Sequence, residues 1–208
     1  MGAHLDDPLQ TSSLTKREIA NYPGYTYDTP YPTPAPKRFS ACPLNGSIKQ
    51  ILYESGNVRY EGATNKNNLP HGEGIMYHDD IDKLPEYQST FREGRPHGDN
   101  IQFFHTRNDQ YFLEYQGSMV SYERKGHGLQ YNWLHHVIYE GQWEKNKYSG
   151  NGKQWYGNKV LRYEGSFSKG KYHGVGKSYA GNGTLDSEGQ WVMGKLHGEH
   201  CKRYKNNW

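Results

Sequence analysis

Period-two alternation is the clearest pattern along the chain. Tyr163, Gly165 and Phe167 fall on one side of an extended segment, and Glu164, Ser166 and Ser168 on the other. Such alternation predicts a β-strand with one packed face. Gly170 follows, a residue type that accepts the positive φ of a tight hairpin turn. A second strand then opens on Gly174 and Gly176 and carries Tyr179. The unit is one β-hairpin. Its first Gly, between two rings, leaves room for a neighbouring ring to lie flat on backbone.

The unit recurs. In the same frame, 24 residues earlier, stand Tyr139, Glu140, Gly141, Trp143, Asn146, Gly150 and Gly152. A further 24 residues back stand Tyr115, Gln116, Gly117, Met119, Gly126 and Gly128. One period forward stand Ser187, Glu188, Gly189, Trp191, Gly194, His197 and Gly198. Looser copies begin at Tyr60 (Glu61, Gly62, His71, Gly72, Gly74) and Tyr87 (Phe91, Gly94, His97, Gly98). The starts are spaced 27, 28, 24, 24 and 24 residues apart. Sixteen residues after each start comes an aromatic residue in most copies: Phe103, Tyr131, Trp155, Tyr179, and Tyr77 one place later. Residues 46–59 read as the back half of another copy, and Gly157-Asn158 and Asn182-Gly183 are turn signals between copies.

This recurring set resembles the MORN repeat, whose pattern is close to YxGxWxxGxxxGxG, across about residues 46–208. Ser89 departs from it at a first Gly, Met119 at the aromatic, and Asn100 and His200 at a second Gly. The resemblance implies an all-β fold, an elongated, twisted antiparallel sheet of stacked hairpins. A lone hairpin is marginal, so each copy depends on burying its neighbours' rings. The longer segments His78 to Pro85 and His105 to Gln110 are expected to be loops projecting from one edge and carrying specificity.

Residues 1–45 differ, holding seven of the ten prolines. Pro30, Pro32, Pro34 and Pro36 alternate, which favours an extended polyproline-like arm. Thr15-Lys16-Arg17-Glu18 suits a capping box for one short helix before Pro23. The chain therefore divides into an arm, 1–45, and an array, 46–208. Tyr25, Tyr27, Tyr31, Pro32 and Pro34 of the arm, with Trp208 at the other terminus, are the candidate partner-binding residues.

Composition agrees with rings packed on glycine rather than a broad aliphatic core: 33% hydrophobic, 14% aromatic, 25 Gly. A net charge of +3 without a long basic run describes a mixed, solvated surface. Cys42 and Cys201 make no disulfide framework, and a reducing compartment is expected. No apolar run nears the roughly 20 residues that span a bilayer. Met1-Gly2 lacks the Ser or Thr at position 6 that myristoylation favours, and no secretory leader is evident.

Chemical motifs dissolve on inspection. His71, His97, His173 and His197 occupy equivalent positions, read as turn residues; two strands per copy space them about 10 Å apart, too far to share one Zn. His135-His136 reads as an exposed loop pair. Gly176-Lys177-Ser178 lacks the Gly of a phosphate loop, since Lys171 stands there. Glu61, Glu140, Glu164 and Glu188 repeat on the solvent face rather than pairing for glycoside hydrolysis. Neither Cys has an activating local setting. Most rings serve packing, which argues against base stacking and a nucleic-acid partner. No catalytic residue, cofactor, metal or small-molecule substrate is expected.

The resemblance implies a non-catalytic scaffold that binds other protein subunits of a large assembly through its arm and repeat surface. A cytoplasmic ciliary or cytoskeletal structure, such as a radial spoke, is the leading expectation; an accessory subunit of a mitochondrial membrane complex is the alternative. The end strands, around 46–59 and Lys202–Trp208, are suited to extending a partner's sheet. A third reading is a tether to anionic phospholipid, for which Lys145, Lys147, Lys169, Lys171 and Lys195 recur near successive turns. Catalytic domains can follow such arrays, but here the repeats run to the end of the chain, leaving no room for one.

Overall fold

The structure is a computed structural model that describes residues 48–107 and 110–203. Among the described residues, thirteen strands form one open antiparallel sheet in which every strand pairs with its neighbours in sequence. They are β1 (Lys49–Leu52), β2 (Val58–Thr64), β3 (Pro70–Tyr77), β4 (Pro85–Arg92), β5 (Arg95–Arg107), β6 (Gln110–Val120) and β7 (Glu123–Tyr131). There follow β8 (Val137–Glu144), β9 (Lys147–Trp155), β10 (Leu161–Ser168), β11 (Lys171–Tyr179), β12 (Leu185–Val192) and β13 (Lys195–Arg203). β1 is the back half of a copy, as its sequence predicts. Each later pair, from β2–β3 to β12–β13, is one repeat.

The repeat residues explain why the hairpins stack. Tyr60, Tyr115, Tyr139 and Tyr163 are fully buried. Each hydroxyl donates to the carbonyl three residues on, for Tyr163 to Ser166 at 3.0 Å. The ring rests on the facing glycines of its own hairpin, Gly165 and Gly176 in that copy. A Cβ on Gly176 would lie 2.1 Å from the Tyr163 Oη, so no other residue fits beneath the ring. The ring on the glycine floor is thus the copy's own, not a neighbour's. The next copy is bound on by its Trp: Trp191 Nε1 donates to the Gly176 carbonyl at 3.1 Å, and Trp143 Nε1 to Gly128 at 3.1 Å. Phe167 meets Tyr163 edge-on at 5.0 Å, a contact worth about 0.5–1.5 kcal/mol beyond its burial.

From β6 to β13 two kinds of turn alternate along the sheet. Within copies, Glu93-Gly94, Ser121-Tyr122, Lys145-Asn146, Lys169-Gly170 and Met193-Gly194 all have positive φ at both residues, the type I′ signature. The corner N–H of Gly170 reaches back to the Tyr148 carbonyl at 2.9 Å, and that of Gly194 to Tyr172 at 2.8 Å, tying each copy to the one before. Between copies, five-residue turns at 53–57, 132–136, 156–160 and 180–184 close with a bond from first N–H to fifth carbonyl.

Two expectations change. His105 to Gln110 is no loop: β5 and β6 stay paired out to Arg107 and Gln110. Phe104 stacks on Tyr111 at 5.3 Å and Phe112 is buried, so apolar alternation carries the hairpin past its repeat frame. The 78–84 segment is a loop, and Tyr111 Oη holds its end by donating to the Pro85 carbonyl at 2.7 Å. The repeated histidines are also not turn residues. His71, His97, His173 and His197 lie within β3, β5, β11 and β13. In β11 the pairing passes from Gly165↔Gly176 to Phe167↔Tyr172, so His173, Gly174 and Val175 bulge opposite Ser166.

Candidate interaction surface

One face of the sheet is the ring core. On the other, a cross-strand row runs Leu129, Glu140, Lys153, Glu164, Lys177, Glu188, one residue per strand from β7 to β12. Charges of opposite sign thus stand next to each other, and Lys177 Nζ lies 4.0 Å from Glu188 Oε2. A groove on this face is lined by His127, Glu140, Gln142, Lys153, Glu164 and Lys177. Glu140, Glu164 and Glu188 belong to this row, Glu61 stands in β2 where the same ladder continues through Ile75, Gln88, Gln102 and Gln116, and two of the four repeated glutamates serve as acceptors. Tyr77 Oη donates to Glu61 and Tyr179 Oη to Glu164, each at 2.7 Å. The aromatic residue sixteen on therefore turns in these copies to the charged face, whereas Phe103 packs in the core against Tyr87. Burial pushes the Glu61 carboxyl up, but hydrogen bonds from Lys83, Tyr77 and Gln50 outweigh it and hold the group below the usual carboxylate range.

The edge formed by the within-copy turns is basic in its later half. Lys145, Lys147, Lys169, Lys171 and Lys195 are all exposed there, on turns about 10 Å apart. These lysines recur on one edge as their spacing predicts.

Arg124 breaks the core pattern and was not singled out by sequence. In later copies its position is Tyr148 or Tyr172, lying flat on the repeat tyrosine. Here the guanidinium lies over Tyr115 at 4.8 Å and Trp143 at 5.1 Å and pairs with Glu114. The signal was available, since a cation stands where neighbouring copies carry a ring.

The opposite edge carries another unforeseen feature. Trp133 and Leu134, at the tip of the 132–136 turn, are 46% and 47% exposed. His135 and His136 are not the exposed pair expected. Both are partly buried; His135 takes φ 60° and its imidazole is pushed down by burial, then by His136. His136 Nδ1 lies 2.8 Å from the Gly157 carbonyl of the adjacent turn.

The arm residues Tyr25, Tyr27, Tyr31, Pro32 and Pro34, the capping box, Cys42 and Trp208 lie outside the described residues. Gly176-Lys177-Ser178 lies inside β11, extended and paired, not in a strand-to-helix loop. Among the described residues, no three His, Cys, Asp or Glu side chains converge as metal ligands, and no helix is long and apolar enough to cross a membrane.

No curated protein matches the chain. A family model for the MORN repeat matches residues 66–80, 87–98, 139–159, 163–185 and 188–199. The matched segments pass over 99–138, where β5–β6 outgrows its frame and Met119 and Arg124 replace rings. Register carries across that stretch nonetheless, with Gly117 facing Gly128 under Tyr115 as in the matched copies. MORN repeats occur in structural and membrane-associated protein-interaction modules, and with five matched segments on one continuous run of hairpins this chain carries tandem MORN repeats.

Proposed function

We propose that the protein is a non-catalytic scaffold, a subunit that binds other proteins within a large assembly. The observation that carries this reading is the division of labour in the sheet. The rings that hold it together are buried, so one face and both edges remain as a long, fixed array of side chains. A surface preorganised in this way binds with little ordering cost. Buried rings cannot stack on bases, which weighs against a nucleic-acid partner. A ciliary or cytoskeletal assembly is the leading setting and a mitochondrial membrane complex the second; the arm of residues 1–45 is a further contact. The test is native size in extracts of cells that make the protein. A scaffold subunit migrates in a particle many times its own 24.1 kDa. Migration as a free monomer overturns the proposal.

The basic edge favours a second reading, a tether to anionic phospholipid. Recurring lysines beside a negative surface contribute about 1 kcal/mol each at low salt.

A further inference from the structure

The turn at 132–136 stands apart from its counterparts. The 156–160 and 180–184 turns have the same closing hydrogen bond, and at their tips they carry Gly157-Asn158 and Gly181-Asn182. Trp133-Leu134 occupies the corresponding places. Closing the turn does not require bulky apolar residues, because its counterparts close without them.

The turn is also firmly held. Asn132 Oδ1 accepts the N–H of Leu134 at 3.0 Å and of His136 at 2.9 Å. The Asn132 N–H donates to the His136 carbonyl at 2.9 Å, and the His135 N–H returns to the Asn132 carbonyl at 2.8 Å. The contact of His136 with Gly157 braces the turn on the next one. A tryptophan and a leucine are thus presented to solvent on a fixed backbone, with little order left to impose on binding.

We infer that Trp133 and Leu134 form a docking knob that enters an apolar pocket on a partner protein. This rests on the scaffold reading and names the contact through which it works. A protein pocket suits the knob better than an anionic bilayer for two reasons. The 78–84 loop on the same edge carries Asp79, Asp80 and Asp82, which an anionic surface would repel. The neighbouring tips at 157–158 and 181–182 carry no apolar group, and the exposed Ile81 of the 78–84 loop stands between Asp80 and Asp82, which keep it from such a surface. One tryptophan with one flanking aliphatic group, rimmed by polar turns, matches the anchor of a protein interface.

The experiment uses the tagged full chain in cells that make the protein. The wild type is compared with a double variant, Trp133→Gly with Leu134→Asn, which copies the neighbouring tip. Thermal melting checks that the variant folds; Trp133→Ser alone replaces it if the double variant melts early. The expected result is an unchanged melt with a more than tenfold drop in the share of chain migrating with the particle. A variant that stays in the particle like the wild type overturns the knob and leaves the scaffold reading standing. If neither chain enters a particle, the scaffold reading fails and takes the knob with it. Flotation on phosphatidylcholine vesicles is the second arm. Flotation of the wild type but not the variant would assign the knob to lipid and overturn the protein pocket.

Discussion

Tyr163 of β10 and Tyr172 of β11 lie face to face, with ring centroids 3.8 Å apart and planes 2° from parallel. Tyr139 and Tyr148 repeat the arrangement at 3.6 Å and 8°. Each such pair is sandwiched: the first ring presses on glycine backbone, and the next copy's aromatic residue closes the far side edge-on. Trp191 meets both Tyr163 and Tyr172 in this way, at 5.7 and 5.4 Å. Stability therefore depends on the space beneath the first ring and on what lies flat upon it.

That space is testable. Gly176→Ala places a Cβ 2.1 Å from Tyr163 Oη and 2.4 Å from its Cζ. The ring cannot yield without losing the Tyr172 stack, so a loss of about 1–3 kcal/mol is expected in chemical denaturation. Gly181→Ala meets nothing within 4 Å and should change stability by no more than about 0.5 kcal/mol. Equal effects would refute the glycine floor.

Arg124 makes a second test. Its side chain is 13% exposed and that of its partner Glu114 is 21% exposed. Removing the carboxylate with Glu114→Leu leaves a guanidinium among rings and should cost about 2–3 kcal/mol. The double variant Arg124→Tyr, Glu114→Leu installs the ring of the later copies and should recover most of that loss. A double-mutant cycle with no coupling would mean that the ion pair does not matter to the fold.

Alkaline pH supplies a third. Burial holds the phenols of Tyr60, Tyr115, Tyr139 and Tyr163 well above 10.0, and it pushes Tyr148 up to about 12. The folded state therefore keeps protons that the unfolded chain releases near pH 10. Their contribution is fully present below pH 10 and is lost as pH rises toward the folded values, by up to about 1.4 kcal/mol per group per pH unit. Melting temperature should hold to about pH 10 and then fall steeply. Tyrosinate absorbance should rise for these residues only together with unfolding; smooth, non-cooperative titration of every tyrosine would contradict their burial.

The lipid reading has its own test at the basic edge. Wild type should float with phosphatidylserine-containing vesicles at low salt. Lys169→Glu with Lys171→Glu, both exposed positions, should reduce flotation at least tenfold without changing the melt. Salt-insensitive flotation, or none, would remove this reading.

The hairpins were legible because period-two alternation and the 24-residue recurrence report the same geometry twice. Positions that obey the repeat, such as Tyr163, Gly176 and Gly170, took the places their chemistry demands. Where the structure differed, local packing outweighed the frame. Phe104, Tyr111 and Phe112 extend one hairpin because their own alternation is apolar. His173 lies in a strand because a bulge, invisible to simple alternation, takes up extra residues. Trp133 and Leu134 were overlooked because hydrophobic residues in a β-rich chain read as core unless their turn is aligned with its counterparts.

Crosslinking of the native particle tests the central claim most directly. A lysine-reactive crosslinker is applied to the co-migrating fraction, and linked peptides are identified by mass spectrometry. A scaffold predicts links from Lys145, Lys147, Lys169 or Lys171 of the array, or from Lys16 or Lys37 of the arm, to other chains. Links confined to this chain, in a fraction of monomer size, would contradict it.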